Sequence, residues 1–409
     1  MTEQPAGLPL AKLPLEGLVV LDISTYIAAP AAAVVLGDFG ADVIKVEALE
    51  GDPNRGMVNI AAYPKSPVNY PWRLDSRNKR SLAIDLKNPT ARAALDRLIA
   101  KADVLILNFP IPVRQRLRLT WNDVKAINPR LIFMALTGYG EVGPDVDRPG
   151  FDVNAFFARS GLVDGSMYEG MGPTFPVPAQ GDRATSMTMV AGVLLGLLHR
   201  ERTGEGSEIT TSLLANGVWN NGILAQAALV GGFLGHRPPR TRPRNPLSNS
   251  FQCADGHWFV MTLLREETLW PSVCAALELK ELQHDARFAT TQARIAHTAE
   301  LTAILQQRFA AKDWAVWKPI LIRHGLVYSE IQTLHNLPDD PQIAANNIFV
   351  DTGDSELPRT IANPINASFV AKRQSGPAPE IGQHSDEVLR FAGLSEAEIK
   401  ALRAAKAIV

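Results

Sequence analysis

Cysteine is scarce. Cys253 and Cys274 are the only two in 409 residues, and no CxxC pair occurs. That excludes a disulfide framework and a cysteine-built zinc site, and it suits a reducing compartment. An excess of one charge sign is missing too. Lys and Arg number 41, Asp and Glu 42, and the formal net charge is -1. No nucleic-acid partner is expected without a basic excess. Any anionic ligand must be held by local clusters. Long apolar runs are absent. The most apolar helical stretch, residues 187–198, falls short of the about 20 residues a bilayer span needs, so no membrane partner is expected. The opening segment MTEQPAGLPLAKLPLEG lacks a charged start followed by an apolar core, so no signal peptide is expected. Together these absences predict a cytoplasmic protein.

Several motifs are also missing. The first strand is followed by Ala28-Ala29-Pro30-Ala31-Ala32-Ala33 rather than GxGxxG, which leaves ordinary dinucleotide binding unsupported. There is no Walker A sequence, no HExxH and no GxSxG elbow. The eight histidines show no metal-ligand spacing, so no metal is expected.

What is present has the ordinary globular mix, 46% hydrophobic and 20% charged. At about 150 residues per domain, the length suggests two or three domains. Residues 18–23 and 42–47 read as buried strands, with small-residue helical spacing at 28–37 between them. That is the size of a βαβ crossover. Further strands are expected at 81–85, 103–108 and 131–136, with helices at 89–101 and 121–127. Such alternation predicts an α/β fold with a parallel sheet, whose ligands sit at the carboxyl ends of the strands. A Gly- and Pro-rich stretch, 145–181, precedes a long helix expected at about 183–202, closed by Gly204 and Gly206. An irregular arm follows at 236–249. A hairpin is expected around Asp255-Gly256, and helical patterns run through 265–325. The tail helix opens with Ser395 and Glu398, a capping-box spacing. The domain boundaries read from this pattern are a large domain at 1–215, a linker at 216–249, a small domain at 250–345, and a return linker and tail at 346–409 completing the large domain.

Four places suit a phosphorylated, partly apolar ligand. Thr25-Tyr26-Ile27-Ala28 ends the first strand before a helix N-terminus, where free N–H groups favour anions; close helix–strand packing is the alternative. Arg77-Asn78-Lys79-Arg80 offers phosphate contacts or is a solvated charge run. Asn108-Phe109-Pro110, with Arg114 and Arg116 nearby, could hold an adenine and its phosphates, or supply a core ring with surface arginines. Gly181-Asp182-Arg183 stands where the glycine-rich loop enters the long helix. Asp182 reads either as the N-cap or as a carboxylate nucleophile that attacks a thioester.

In order along the chain, PLEGLVVLDIS, GDFGADVIKVE, NKRSLAIDLKNP, ADVLILNF, INPRLIF, TGYGEVGP, DRPGFD, GDRAT, RERTGEG and HSDEVLRFAGLSEAEIKALR resemble the class III CoA-transferases. That family includes the formyl-CoA:oxalate and carnitine CoA-transferases, with α-methylacyl-CoA racemase as a relative. The resemblance implies a Rossmann-like parallel-sheet large domain, a smaller α+β domain and an interlocked homodimer. It implies an acyl-CoA:carboxylate CoA-transferase that needs no cofactor beyond coenzyme A, whose partners are an acyl-CoA and a small carboxylic acid. The family's catalytic aspartate in a Gly-Asp pair falls on Gly181-Asp182. Its CoA contacts fall on Thr25, Tyr26, Ile27, Ala28, Ile84, Asn108, Phe109 and Arg116, with Arg116 meeting phosphate. Asp152 matches an acidic residue that lines the family's active site.

Three departures shape the expectation. Phe151 stands where the racemases place a histidine base, and an acid–base racemase needs a proton acceptor on each face of the α-carbon. Ala48 stands where some members carry a nucleotide-holding arginine. The segment 245–258 has only Gly256 where formyl-CoA:oxalate enzymes carry a run of glycines. The alternatives to transfer are a racemase-like isomerase and a non-catalytic CoA-binding subunit. Tyr26, Ile27 and Phe151 point to an apolar acyl pocket, whereas Arg55 or Arg73 could select a dicarboxylate.

Overall fold

The structure is a computed structural model and describes residues 13–409. The first 12 residues of the opening segment read above lie outside the described residues. Two compact units result. One comprises the described part of Met1–Leu162 with Phe175–Leu229 and Pro341–Val409; the other is Val163–Thr174 with Val230–Asp340.

The first unit is built on β1 (Val19–Ile23), α1 (Ala28–Asp38), β2 (Asp42–Glu47), α2 (Tyr70–Ser76), β3 (Arg80–Ala83), α3 (Pro89–Ile99), β4 (Val104–Leu107), α4 (Ile111–Arg116), α5 (Trp121–Ile127) and β5 (Ile132–Thr137). After α6 (Leu162–Ser166), which belongs to the second unit from Val163 on, α7 (Gln180–Thr203) leads into β6 (Ser207–Ser212), α8 (Leu213–Asn220) and α9 (Gly222–Leu229) of the first. The sheet order is β3-β2-β1-β4-β5-β6, and every pairing is parallel. The order reverses between β1 and β4, which makes the crevice beyond their carboxyl ends the switch point where doubly wound sheets take ligands. β6 was not anticipated. Its sequence, SEITTS, lacks the apolar run of a central strand, because it is an edge strand and alternates between exposed and half-buried positions.

Both faces of the sheet are covered. Along β1, Val20 packs with α1 and α7, while Leu21 and Ile23 pack on the opposite side with Leu95 and Leu98 of α3. This is the period-two alternation of a strand buried on both faces. Every residue of α1 is buried, so its alanines let it lie close to the sheet. α7 ends at Gly204, whose φ of +82° makes the left-handed cap that stops the helix. The tail returns through α14 (Pro341–Ala345) and the β10 (Phe349–Asp351)–β11 (Arg359–Ile361) hairpin to α15 (Ser385–Phe391) and α16 (Glu396–Ala404) once the second unit has been passed. The capping box read at Ser395 and Glu398 is formed at the start of α16. Ile408 bridges Ile84 beside β3, and Leu389 and Leu402 enter the same core as β3.

The second unit contains β7 (Ser248–Gln252), β8 (Trp258–Thr262), α10 (Glu266–Ala276), α11 (Thr291–Ala296), α12 (Thr298–Phe309), α13 (Trp314–Arg323) and β9 (Tyr328–Glu330). Its antiparallel sheet runs β7-β8-β9, and the first turn is made at Asp255-Gly256 as the hairpin reading expected. Phe251, Phe259, Phe309, Trp314 and Trp317 form its aromatic core. Among the described residues, no helix is long and apolar enough to cross a membrane, and no group of three or more His, Cys, Asp or Glu could hold a metal ion.

Candidate active site

The site begins at the switch point. Asn108, just beyond β4, accepts the Thr25 N–H through Oδ1 at 2.9 Å, and its Nδ2 donates to the Thr25 carbonyl at 2.7 Å. Both ends of one amide are therefore spent joining the β1 and β4 loops. The next residue, Tyr26, has a φ of +66°, a strained value for a tyrosine. Its peptide is pinned on both sides. The Tyr26 N–H donates to Asp52 Oδ1 at 3.2 Å, and Asn54 Nδ2 donates to the Tyr26 carbonyl at 2.6 Å. Held this way, the Tyr26 ring meets Phe151 edge-on, with centroids 5.5 Å apart.

Beneath this loop lies a buried ionic network. Lys45 Nζ pairs with Asp52 Oδ2 at 2.6 Å and donates to the Ser24 carbonyl. Lys79 Nζ pairs with Asp22 Oδ2 at 2.8 Å and donates to the carbonyls of Pro30 and Asp75. Arg77 pairs with Asp38, and Arg80 with Asp42 and Glu387. The run Arg77-Asn78-Lys79-Arg80 is thus neither a solvated charge run nor a phosphate cradle. Its cations are internal ties between α1, β1, β2, the loop before β3 and the tail. Burial works against the charges of Asp22, Lys45 and Lys79, and only pairing makes such burial tolerable.

The second half of the site is the start of α7. Asp182 is not its N-cap, contrary to one of the two sequence readings. The helix starts at Gln180, the N-cap is Ala179 in the left-handed region with a φ of 72°, and Asp182 lies inside the first turn. The capping task falls to a different carboxylate. Asp152 opens a π-helical turn, Asp152–Ala158, and its Oδ2 accepts the Ala179 N–H at 2.7 Å. The Gly181 and Asp182 amides also favour its charged form, without completing a hydrogen bond to Oδ1. Burial is the larger influence and holds the Asp152 carboxyl above its ordinary range despite those amides. Gly181 makes this approach possible. A Cβ there would lie 2.5 Å from Phe156 Cδ1 and closer still to Asp152 Oδ1.

With Asp152 capping the helix, Asp182 is left without that duty. Burial, followed by the nearby Asp152 charge, pushes its carboxyl up to about 7. Arg183 pulls the other way, and Asp75 adds to the rise. Arg183 is itself tied down, with Nη1 2.6 Å from Asp75 Oδ1. Asn54 Nδ2 lies 3.3 Å from Asp75 Oδ2, so a polar path runs from Arg183 through Asp75 and Asn54 to the Tyr26 peptide. Burial and the Asp182 and Asp152 charges also push up the phenol of Tyr63, which places that ring in the same electrostatic neighbourhood. The sequence reading missed Tyr63, Asp75 and Asn54. None carries a motif, and the only cue was that Asp75 lies two residues before the charged run that starts at Arg77.

Two adjoining cavities share Thr25 and Phe109. The smaller, about 180 Å³, is lined by Thr25, Tyr26, Ile27, Ala28, Asn108, Phe109, Phe151 and Asp182, with Leu136, Pro149 and Leu213 among the rest. The larger, about 480 Å³, opens beyond β1, β2 and β3 and includes Ala48, Ile84 and Lys87 in its lining. The structure therefore brings the expected loop residues, Ile84, Phe151 and Asp182 to one crevice. Arg116 lines neither cavity. It is exposed on the last turn of α4, beside Leu117 of the larger cavity. Arg114 is committed elsewhere, paired with Glu141 at 2.6 Å and donating to the Phe109 carbonyl.

A Rossmann-ordered sheet carries this carboxylate at a glycine-opened helix start beside the smaller cavity, and the chain's likeness to known proteins gives the arrangement a family. Residues 15–385 match CoA-transferase family III, and the chain belongs to that family. It is 31% identical to (R)-2-hydroxy-4-methylpentanoate CoA-transferase of Clostridioides difficile, over 96% of this chain and 99% of that protein. It is 30% identical to cinnamoyl-CoA:phenyllactate CoA-transferase of Clostridium sporogenes, over 96% of this chain and 97% of that protein. Among solved structures, a CAIB/BAIF family protein from Brucella suis is similar with a TM-score of 0.83 and 28% identity, covering 93% of this chain and 100% of that one.

Proposed function

We propose that this enzyme moves coenzyme A from an acyl-CoA donor to a free carboxylic acid through covalent intermediates on Asp182. The observation that carries the reading is the division of labour at the start of α7, where Asp152 takes the cap and leaves Asp182 facing the cavity beside the Thr25–Ala28 loop. Support also comes from family membership and from the crevice that unites most of the expected CoA contacts.

The proposed cycle has four steps. An Asp182 carboxylate oxygen attacks the donor thioester carbonyl; the C–S bond breaks, and CoA thiolate leaves a mixed anhydride. The thiolate attacks the aspartyl carbonyl, which forms an aspartyl-CoA thioester and frees the donor carboxylate. An acceptor carboxylate oxygen attacks that thioester, again expelling the thiolate and forming a second anhydride. The thiolate then attacks the acceptor carbonyl, giving the new acyl-CoA and restoring Asp182. No metal or redox cofactor enters this cycle, and the anhydrides must be kept from water.

The smaller cavity takes the acyl end and the larger one the pantetheine and nucleotide. Lys87 and the exposed Arg116, neither of them paired with a carboxylate among the described residues, supply countercharge to phosphates where Ala48 replaces an arginine. Two chains pair as an interlocked homodimer. Trp219, Ile223 and Leu229 are 83%, 88% and 80% exposed on α8 and α9, an apolar face that a second copy would cover. Light scattering on the eluted protein tests the dimer. The transfer itself is tested with a donor thioester and a panel of free acids. A new thioester supports it, whereas loss of α-chirality without transfer supports an isomerase instead. The racemase alternative is disfavoured by Phe151, which cannot accept a proton.

A further inference from the structure

The acyl end of the crevice has a one-sided chemistry. Among the described residues lining the smaller cavity, Asp182 is the only charged one. The others include Tyr26, Ile27, Leu136, Pro149, Phe151 and Leu213. The sequence offered Arg55 and Arg73 as selectors of a second carboxylate. Both are already neutralised. Arg55 holds Glu47 with two nitrogens, Nε at 2.9 Å and Nη2 at 2.7 Å, lies over the Trp72 ring at 3.7 Å, and donates to the Pro379 carbonyl. Arg73 pairs with Asp354 at 2.5 Å and with Glu356. Arg183, the cation next to the nucleophile in sequence, is held by Asp75. The charge left near Asp182 is therefore acidic: Asp182 itself, and Asp152, which caps α7 through Oδ2 while its Oδ1 is buried without a hydrogen-bond partner.

A dicarboxylic acid brings two carboxylates. One reacts, and the other must sit somewhere in this lining. It would lose water and find no cation among the described lining residues; on a bound donor it would also feel the charges of Asp182 and Asp152, and on an acceptor, which meets Asp182 as a neutral thioester, that of Asp152. An unpaired carboxylate in such a place is strongly disfavoured, while an alkyl or aryl group in the same position gains from leaving water.

We infer that the enzyme is selective for monocarboxylic acids with an apolar substituent, and that Phe151 and Tyr26 set this preference by walling the acyl cavity. The inference rests on the CoA-transfer reading above. Phe151 is 55% exposed, so its ring is available to a bound acyl group and replaceable without emptying the core.

The test is label exchange between an acid and its own CoA thioester, which needs a single acid at a time. The full-length enzyme is given 4-methylpentanoyl-CoA with isotopically labelled 4-methylpentanoate, and separately glutaryl-CoA with labelled glutarate. Label entering the thioester is followed by mass spectrometry. The expected result is kcat/KM for the apolar pair at least about 100-fold above that for the glutarate pair, the scale of one unpaired charge in a partly dry site. Phe151→Arg, which supplies a cation, should narrow that ratio by about tenfold or more. Equal or faster exchange with glutarate overturns the inference and leaves CoA transfer standing. A ratio unchanged in a folded Phe151→Arg enzyme removes Phe151 from the selecting wall. Exchange with neither acid overturns both the inference and the transfer reading.

Discussion

Replacing Gly181 with alanine tests whether the nucleophile depends on how closely two segments approach. The added Cβ would stand 2.5 Å from Phe156 Cδ1 and nearer still to Asp152 Oδ1, and both neighbours are buried. Neither can swing away as the tip of a flexible surface chain could. Two effects on stability oppose each other. Alanine in a helix is favoured over glycine by up to about 1 kcal/mol. Overpacking a closed site costs about 1–3 kcal/mol. The net loss is therefore at most about 3 kcal/mol, a fall in Tm of a few degrees for a chain this long. Activity should suffer far more. To relieve the clash, α7 must back away from Asp152, carrying Asp182 with it, and a displacement of about 1 Å can reduce turnover about 100-fold. The assay is kcat/KM for an accepted acyl-CoA and acid pair, beside a thermal melt. Loss of two orders of magnitude in kcat/KM with a melt within a few degrees of the parent fits the geometry. An alanine enzyme with near-parent activity would refute the idea that Gly181 sets the position of Asp182.

Four further outcomes follow from the electrostatics and the loop contacts. Asp182 must be ionised to attack, and its carboxyl is raised to about 7, so kcat/KM for the acyl-CoA should climb through about pH 7 and level off above it; a flat profile from pH 5 to 9 would contradict this. The same shift acts on stability: the native state holds a proton that the unfolded chain releases near 3.8, so stability declines as pH rises from about 4 to 7. Asp182→Asn should therefore stabilise the protein above pH 7, by at most about 4 kcal/mol, and not near pH 4, as melts at the two pH values would show. Asp75→Asn removes a charge that raises Asp182 and releases Arg183, so the rising limb of the kcat/KM profile should move to lower pH; an unmoved limb would mean that the Arg183–Asp75 pair does not govern the nucleophile. Asn108→Ala deletes both hydrogen bonds that fix the Thr25 peptide, and KM for the acyl-CoA should rise about tenfold with a smaller change in kcat, since each bond contributes about 1 kcal/mol.

The sequence carried the framework of the fold because its signals are local. β1, β2 and β4 are short apolar runs with β-branched residues, and the small residues of α1 announce a helix pressed against a sheet. β6 escaped because an edge strand of Ser, Thr and Glu looks like loop until its partner β5 is in place. The site was legible in the same partial way. Gly181 and Asp182 carried a motif, as did the Thr25–Ala28 turn. The cap supplied by Asp152 did not, because it comes from 27 residues upstream and depends on a positive φ at Ala179 that no residue type announces. The charged run at Arg77 misled for a related reason: each of its cations finds a carboxylate distant in sequence, and local composition does not report such pairs.

Covalent capture at Asp182 bears most directly on the proposed chemistry. The enzyme is incubated with an accepted acyl-CoA donor, treated with hydroxylamine and digested, and the peptide holding Asp182 is examined by mass spectrometry beside an Asp182→Ala control. A CoA adduct or hydroxamate on Asp182, absent from the control, is the expected result. Net transfer of CoA with Asp182 unmodified across a panel of donors would contradict a covalent role for this carboxylate.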